Sequence, residues 1–118
     1  GYTPLPLDRF KRPNKEIAKT ALGAEHFLAW ECAKTPMSLL RKLKNDGWWI
    51  VGVEQDARSK NYRDFKKKDK TVFVFGNEVR GLSKQLRDAC DELIEIRMRG
   101  KKESLNVAVS AGVILFST

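Results

Sequence analysis

The sequence predicts an α/β domain: a mostly parallel sheet flanked by helices. Two observations predict the strands. The runs WWIVGV (48–53) and TVFVF (71–75) are short, nearly continuous in apolar residues and rich in β-branched and aromatic types, as strands covered on both faces are. A third observation predicts the alternation. Segments with helical start and stop signals lie between and around these runs, which favours parallel strands joined by crossovers.

At 118 residues the chain reads as one domain, 1–118. GYTPLPLDRFKRPNK (1–15) holds all but one of the four prolines and reads as a loop. A domain rarely opens on so long a loop, so an N-terminal truncation is expected. KEIAKTALGAEHFLAWE (15–31) has helical pieces broken at Gly23. Thr35-Pro36 resembles a helix start, Met37, Leu39, Leu40 and Leu43 give a helical stripe, and Asn45-Asp46-Gly47 ends it.

Residues 54–70 are polar, basic and mostly loop. Ser83 caps a helix to Ala89, 92–96 alternates as a shorter strand would, and 97–103 is a charged loop. Residues 105–116 have the length of a helix. They are apolar nearly all round, which predicts burial. Ser104 reads either as the cap of that helix or as a catalytic group.

In parallel sheets the ligand sits outside the carboxyl ends of the strands. Three such ends stand out: Val53-Glu54-Gln55, Gly76-Asn77-Glu78 and Ile96-Arg97-Met98. Together they predict one pocket with apolar walls from Ile96, Met98 and Leu105. Glu78 also reads as a partner for Arg80 or for the next helix N-terminus. Asn106 and Ser110 share a helix face and, if buried, need partners.

Gly76 and Gly81 imitate a P-loop, but Leu82 stands where the lysine belongs. There is no GxGxxG. No Ser-His-Asp set stands out: the one imidazole, His26, follows Glu25 in a non-strand segment and reads as surface or partly packed. Cys32 and Cys90 match no zinc spacing and one histidine cannot complete a site, so no metal is expected and both cysteines read as buried, reduced thiols. No apolar run reaches the ~20 residues of a spanning helix, so no membrane partner is expected.

Lysine and arginine number 23 against 15 acids, a net charge of +8. That surplus suits a polyanion, with RNA or DNA first. The basic residues fall in three clusters: 11–19, 58–68 and 97–102. Tyr62 and Phe65, interleaved in the second, read as exposed aromatics able to stack on bases.

FVFGNEVRGLS resembles the second motif, and ESLNVAVSAGVILF the third motif, of the SpoU (TrmH-like) RNA 2′-O-ribose methyltransferases of the SPOUT superfamily. IRM followed by GKKESLN resembles the loop joining them, and KTALGAE is similar to the stretch after the family's first βα unit. The resemblance spans roughly 19–116.

It implies a SPOUT-type fold with a C-terminal trefoil knot, an exception to the usual absence of knots. It also implies S-adenosyl-L-methionine as cofactor, a homodimer, transfer or ribosomal RNA as substrate, and a cytoplasmic enzyme. By position, Glu78, Asn106 and Ser104 would be catalytic. Glu54, Gln55, Gly76, Asn77, Ile96, Met98 and Leu105 would bind the cofactor. Lys11, Arg12, Arg80, Lys101 and Lys102 would bind RNA.

The family's first motif, with its arginine, falls before this chain's first residue, and Arg97 replaces a usual proline. The alternatives are therefore a non-catalytic RNA-binding module that keeps the fold, or a dimerisation domain.

Overall fold

The computed structural model describes residues 3–118. The chain divides into two compact units, Gly1–Pro36 and Met37–Thr118.

The first unit holds two short helices, α1 (Lys15–Ala21) and α2 (Ala24–Phe27). Asn14 caps α1 by accepting the Glu16 N–H at 3.0 Å. The break between them falls where the sequence places it: Leu22 and Gly23 both adopt left-handed backbone, φ 51° and 92°. Before α1, Asp8 accepts the Phe10 and Arg12 amides and pairs with the Arg12 guanidinium at 2.7 Å. Both Arg9 and Arg12 lie over the Phe10 ring.

The second unit starts with α3 (Pro36–Asn45), closed by Gly47 N–H donating to Lys44 C=O at 3.0 Å. Four strands follow: β1 (Trp49–Val53), β2 (Lys60–Asn61), β3 (Thr71–Phe75) and β4 (Glu92–Glu95). Helices α4 (Lys84–Ala89) and α5 (Val107–Ser117) complete it. The sheet order is β2-β4-β1-β3 and every pairing is parallel. From β1 the chain passes to β2 at the far edge, returns to β3 on the other side of β1, and then crosses through α4 to β4, which fills the place between β2 and β1. That reversal beside β1 opens the crevice in which parallel sheets take ligands.

The sheet is covered on both faces, so β1 carries no polar alternation, and in β4 the consecutive Leu93 and Ile94 are both buried, where the sequence reading has an alternating strand. Val51 and Ile94 pack with Phe65 and Ile114 of α5 on one face. On the other, Gly52 lets α4 approach so closely that a methyl group there would press on Leu93, Cys90 and Leu82. Ile50, Val51, Ile94 and Ile114 are fully buried. Truncating any of the three isoleucines to alanine costs about 2–5 kcal/mol.

Several expectations need correction. Tyr62 and Phe65 are not free stacking platforms: both pack on the core, and Phe65 meets Phe73 edge-to-face at 5.7 Å. Burying the rings removes more apolar area from water than their charged neighbours can hold out. Helix α5 begins at Val107, and its cap is Asn106, which accepts the Ala108 N–H at 2.8 Å, rather than Ser104.

Nor is α5 buried all round. Ile114 alone among its residues is buried, while Phe116 is 95% exposed. Its apolar sequence exceeds what a single sheet face can cover. Asn106 is likewise exposed and needs no core partner. Cys32 is exposed rather than buried.

Candidate functional site

The carboxyl ends of β1, β3 and β4 converge. They and the segment leading into α5 enclose a cavity of about 330 Å³. Its first wall is Val53, Glu54 and Gln55, and its second runs from Phe75 to Gly81. Glu95 and Ile96 form the third. Glu103, Ser104 and Leu105 close it with Val107 and Ser110 of α5.

The second wall is a self-contained loop built by Asn77. Its side-chain Oδ1 accepts the Val79 and Arg80 amides at 2.9 and 3.2 Å, and its C=O accepts the Gly81 amide at 2.8 Å. The next amide, Leu82, donates to Glu54 Oε2 at 2.6 Å. Four consecutive N–H groups are therefore engaged within the protein. A phosphate cradle needs such groups free, so the loop's likeness to a P-loop ends at its glycines.

Those glycines are required by packing. A Cβ on Gly76 would run into the backbone of Gly81 and Leu82, and one on Gly81, at φ +64°, into the Glu54 carboxylate.

The first wall is tied to the fourth by Gln55, whose Nε2 donates to Glu103 C=O at 2.6 Å. Glu54 Oε1 accepts the Gln55 amide at 2.9 Å, so both carboxylate oxygens are occupied. Glu95 pairs with Arg97 at 3.2 Å. By contrast, the side chains of Glu78, Arg80 and Ser104 make no hydrogen bond or ion pair among the described residues. The alternative Glu78–Arg80 pair is not formed.

Nine of the residues singled out in the sequence meet here: Glu54, Gln55, Gly76, Asn77, Glu78, Arg80, Ile96, Ser104 and Leu105. Asn106 does not line the cavity, because its side chain turns back to cap α5. Met98 lines instead a neighbouring groove with Arg97, Lys101 and Lys102, which shares Gln55, Glu95 and Glu103 with the cavity. Lys11 and Arg12 belong to the first unit, where Arg12 is paired with Asp8.

Among the charged lining residues, sequence reading missed Glu95, Glu103 and Arg87. Arg87 sits on α4 among other charged residues, and no spacing marks it. The cavity sets four carboxylates (Glu54, Glu78, Glu95, Glu103) against two guanidiniums (Arg80, Arg87). It is thus an acidic recess in a chain of net charge +8. Among the described residues no cluster of His, Cys, Asp and Glu could hold a metal, and no helix is long and apolar enough to cross a membrane.

A parallel α/β sheet with such a cavity outside its strand ends defines a protein that takes a small ligand at the switch point. The profile of the SpoU rRNA methylase family matches residues 5–116, and the chain belongs to that family.

Among curated relatives, the 23S rRNA (guanosine-2′-O-)-methyltransferase RlmB of Ralstonia nicotianae is 38% identical over 112 residues, covering 94% of this chain and 44% of the relative. The chain therefore spans less than half of that relative's length. Among solved structures, the A. aeolicus TrmH/SpoU tRNA modifying enzyme is 32% identical with a TM-score of 0.78, over 92% of this chain and 54% of that one. The AdoMet-bound rRNA methyltransferase from Sinorhizobium meliloti is 27% identical with a TM-score of 0.80, over 87% of this chain and 39% of that one.

Proposed function

We propose that this chain is the cofactor-binding and methyl-transfer portion of an enzyme that methylates ribose 2′-oxygens in RNA with S-adenosylmethionine. The observation that carries the reading is the convergence of three strand ends and the segment before α5 on one acidic cavity.

The residues present fit the cofactor's chemistry. The cofactor's ammonium is balanced by its own carboxylate, so its net positive charge is that of the sulfonium, which suits a recess with surplus carboxylates. Phe75, Ile96 and Leu105 offer apolar surface for a purine, and a cavity of about 330 Å³ is of small-molecule size. When bound, the cofactor supplies an activated methyl group, so the protein's work is alignment and help with the hydroxyl proton.

In this reading Glu78 and Ser104, with unengaged side chains at the cavity, meet the ribose. Glu54, Gln55 and Asn77 act by holding the walls. Asn106 orders the first turn of α5, which carries Val107 and Ser110 to the site. The groove lysines Lys101 and Lys102, with Arg80 at the rim, take RNA phosphates. Ribosomal RNA is the favoured substrate, by the substrate of the 23S relative.

A homodimer, with the partner on the exposed apolar side of α5, a trefoil knot at the C-terminal segment and a cytoplasmic location complete the proposal. Val109, Leu115 and Phe116 support the dimer because they are too exposed for a helix that stays uncovered.

Isothermal titration of the whole protein with S-adenosylmethionine tests the reading, followed by methyl transfer to ribosomal and transfer RNA. Saturable binding and 2′-O-methylation are expected. A folded protein that binds RNA but not cofactor would replace the enzyme with the non-catalytic module.

A further inference from the structure

One turn of chain after β1 grips Leu82 from both sides. Glu54 accepts the Leu82 N–H at 2.6 Å. Two residues beyond Glu54, Asp56 lies 3.2 Å from Nε of Arg87, whose Nη1 donates to the Leu82 C=O at 2.9 Å. The Arg87 Nε is shut off from solvent and, though within ion-pair range of Asp56, is not aligned for a hydrogen bond with it. Asp56 is itself fixed by Arg58, whose N–H and Nε donate to Oδ1 at 2.9 and 3.0 Å. Leu82, 2% exposed, ends the loop that forms the cavity's second wall.

We propose that Arg87, oriented by Asp56, is a positioning residue that sets the gap between the Glu54–Gln55 turn and the 76–82 loop, and with it the cavity's affinity for its ligand. The identity of that ligand rests on the function proposed above; the linkage between the two walls does not. A lysine at 87 has the charge but not the fork. It reaches Asp56 or the Leu82 carbonyl, not both. Lys84, exposed at the start of α4, pairs with Asp88 at 2.6 Å and makes no hydrogen bond or ion pair with Asp56 or with the second wall among the described residues.

The test uses the whole protein with Asp56→Asn, Arg87→Lys, Arg87→Ala and, as control, Lys84→Ala. Two readouts are taken: hydrogen exchange of amides 79–82, and Kd, KM and kcat with S-adenosylmethionine. Asp56→Asn and Arg87→Ala are expected to speed exchange of those amides at least tenfold. They should raise Kd and KM about tenfold while kcat falls less than KM rises. Arg87→Lys should recover part of the loss, and Lys84→Ala should stay within twofold of wild type.

Unchanged exchange and Kd in Asp56→Asn, a variant that keeps side-chain shape and the Arg58 amide contact, would overturn the proposal. So would an equal effect of Lys84→Ala. Wild type that fails to bind the cofactor while Asp56→Asn still speeds loop exchange overturns the cofactor reading and leaves the linkage standing.

Discussion

The Glu54 carboxylate accepts the Leu82 amide at 2.6 Å across 28 residues of chain, joining the end of β1 to the loop that follows β3. A charged acceptor on a backbone N–H makes a stronger bond than a neutral one, and Leu82 has no access to water as a substitute. Glu54→Ala leaves that N–H buried and unpaired, which costs about 1–3 kcal/mol. Glu54→Gln keeps an acceptor and should recover most of it. Urea unfolding of the two variants measures the difference. Equal midpoints for Glu54→Ala and wild type would show the bond to be idle.

Two glycines should respond oppositely to alanine. Gly76 faces the backbone of Gly81 and Leu82, with no flexible side chain to yield, so Gly76→Ala should destabilise by about 1–3 kcal/mol and distort the second wall. Gly112, inside α5, has open space around its Cβ position. Gly112→Ala should stabilise by roughly 0.5–1 kcal/mol through helix propensity. Thermal unfolding of both, compared with wild type, checks the sign of each effect.

Strands β1, β3 and β4 and the convergence of their ends were legible because burial on both faces writes itself into sequence as apolar runs, and parallel strands bring their carboxyl ends to one edge; β2 was not, because Lys60-Asn61 is a polar two-residue edge strand inside a stretch that reads as loop. The 76–82 loop was legible from its glycines and asparagine. What was not legible depends on partners far along the chain. Ser104 and Asn106 are both good caps, and only the path of the preceding segment selects Asn106. The apolar pattern of α5 says it prefers burial, not how much sheet is available to bury it. Tyr62 and Phe65 lie among lysines and arginines, so local composition hid their inward packing on the core. The Arg87 clamp needs α4 laid against β1, a relationship no spacing encodes.

The two cysteines should react at very different rates. Burial pushes the Cys90 thiol up to about 11, and its Sγ lies 3.2 Å from the Leu86 carbonyl as a hydrogen-bond donor. Cys32 is exposed. The thiolate is the reacting species, so at pH 8 a thiol reagent should label Cys32 promptly and Cys90 only on unfolding. Raising the pH toward 11 should speed Cys90 labelling, because the deprotonated fraction grows up to that point. Equal labelling of both thiols at pH 8 in the folded protein would contradict this placement of Cys90. Peptide mapping after a timed pulse distinguishes them.

The groove beside the cavity carries Lys101 and Lys102, both exposed and without an ion-pair partner among the described residues. Paired lysines gain little by meeting phosphate, because one contact replaces another; unpaired ones release counterions from the RNA when they bind. Each phosphate contact on a single strand contributes a slope of about −0.7 in log K against log salt. The double variant Lys101→Ala/Lys102→Ala should therefore bind RNA more weakly at low salt, with a slope shallower by about 1.4. The same variant should hold S-adenosylmethionine within a few-fold of wild type, because neither lysine lines the cavity. Filter binding across a salt series gives the slope, and titration gives the cofactor affinity. A slope equal to wild type would place the RNA on another face. A cofactor loss as large as the RNA loss would mean that the groove and the cavity act as one site, joined through the Gln55–Glu103 bond that borders both.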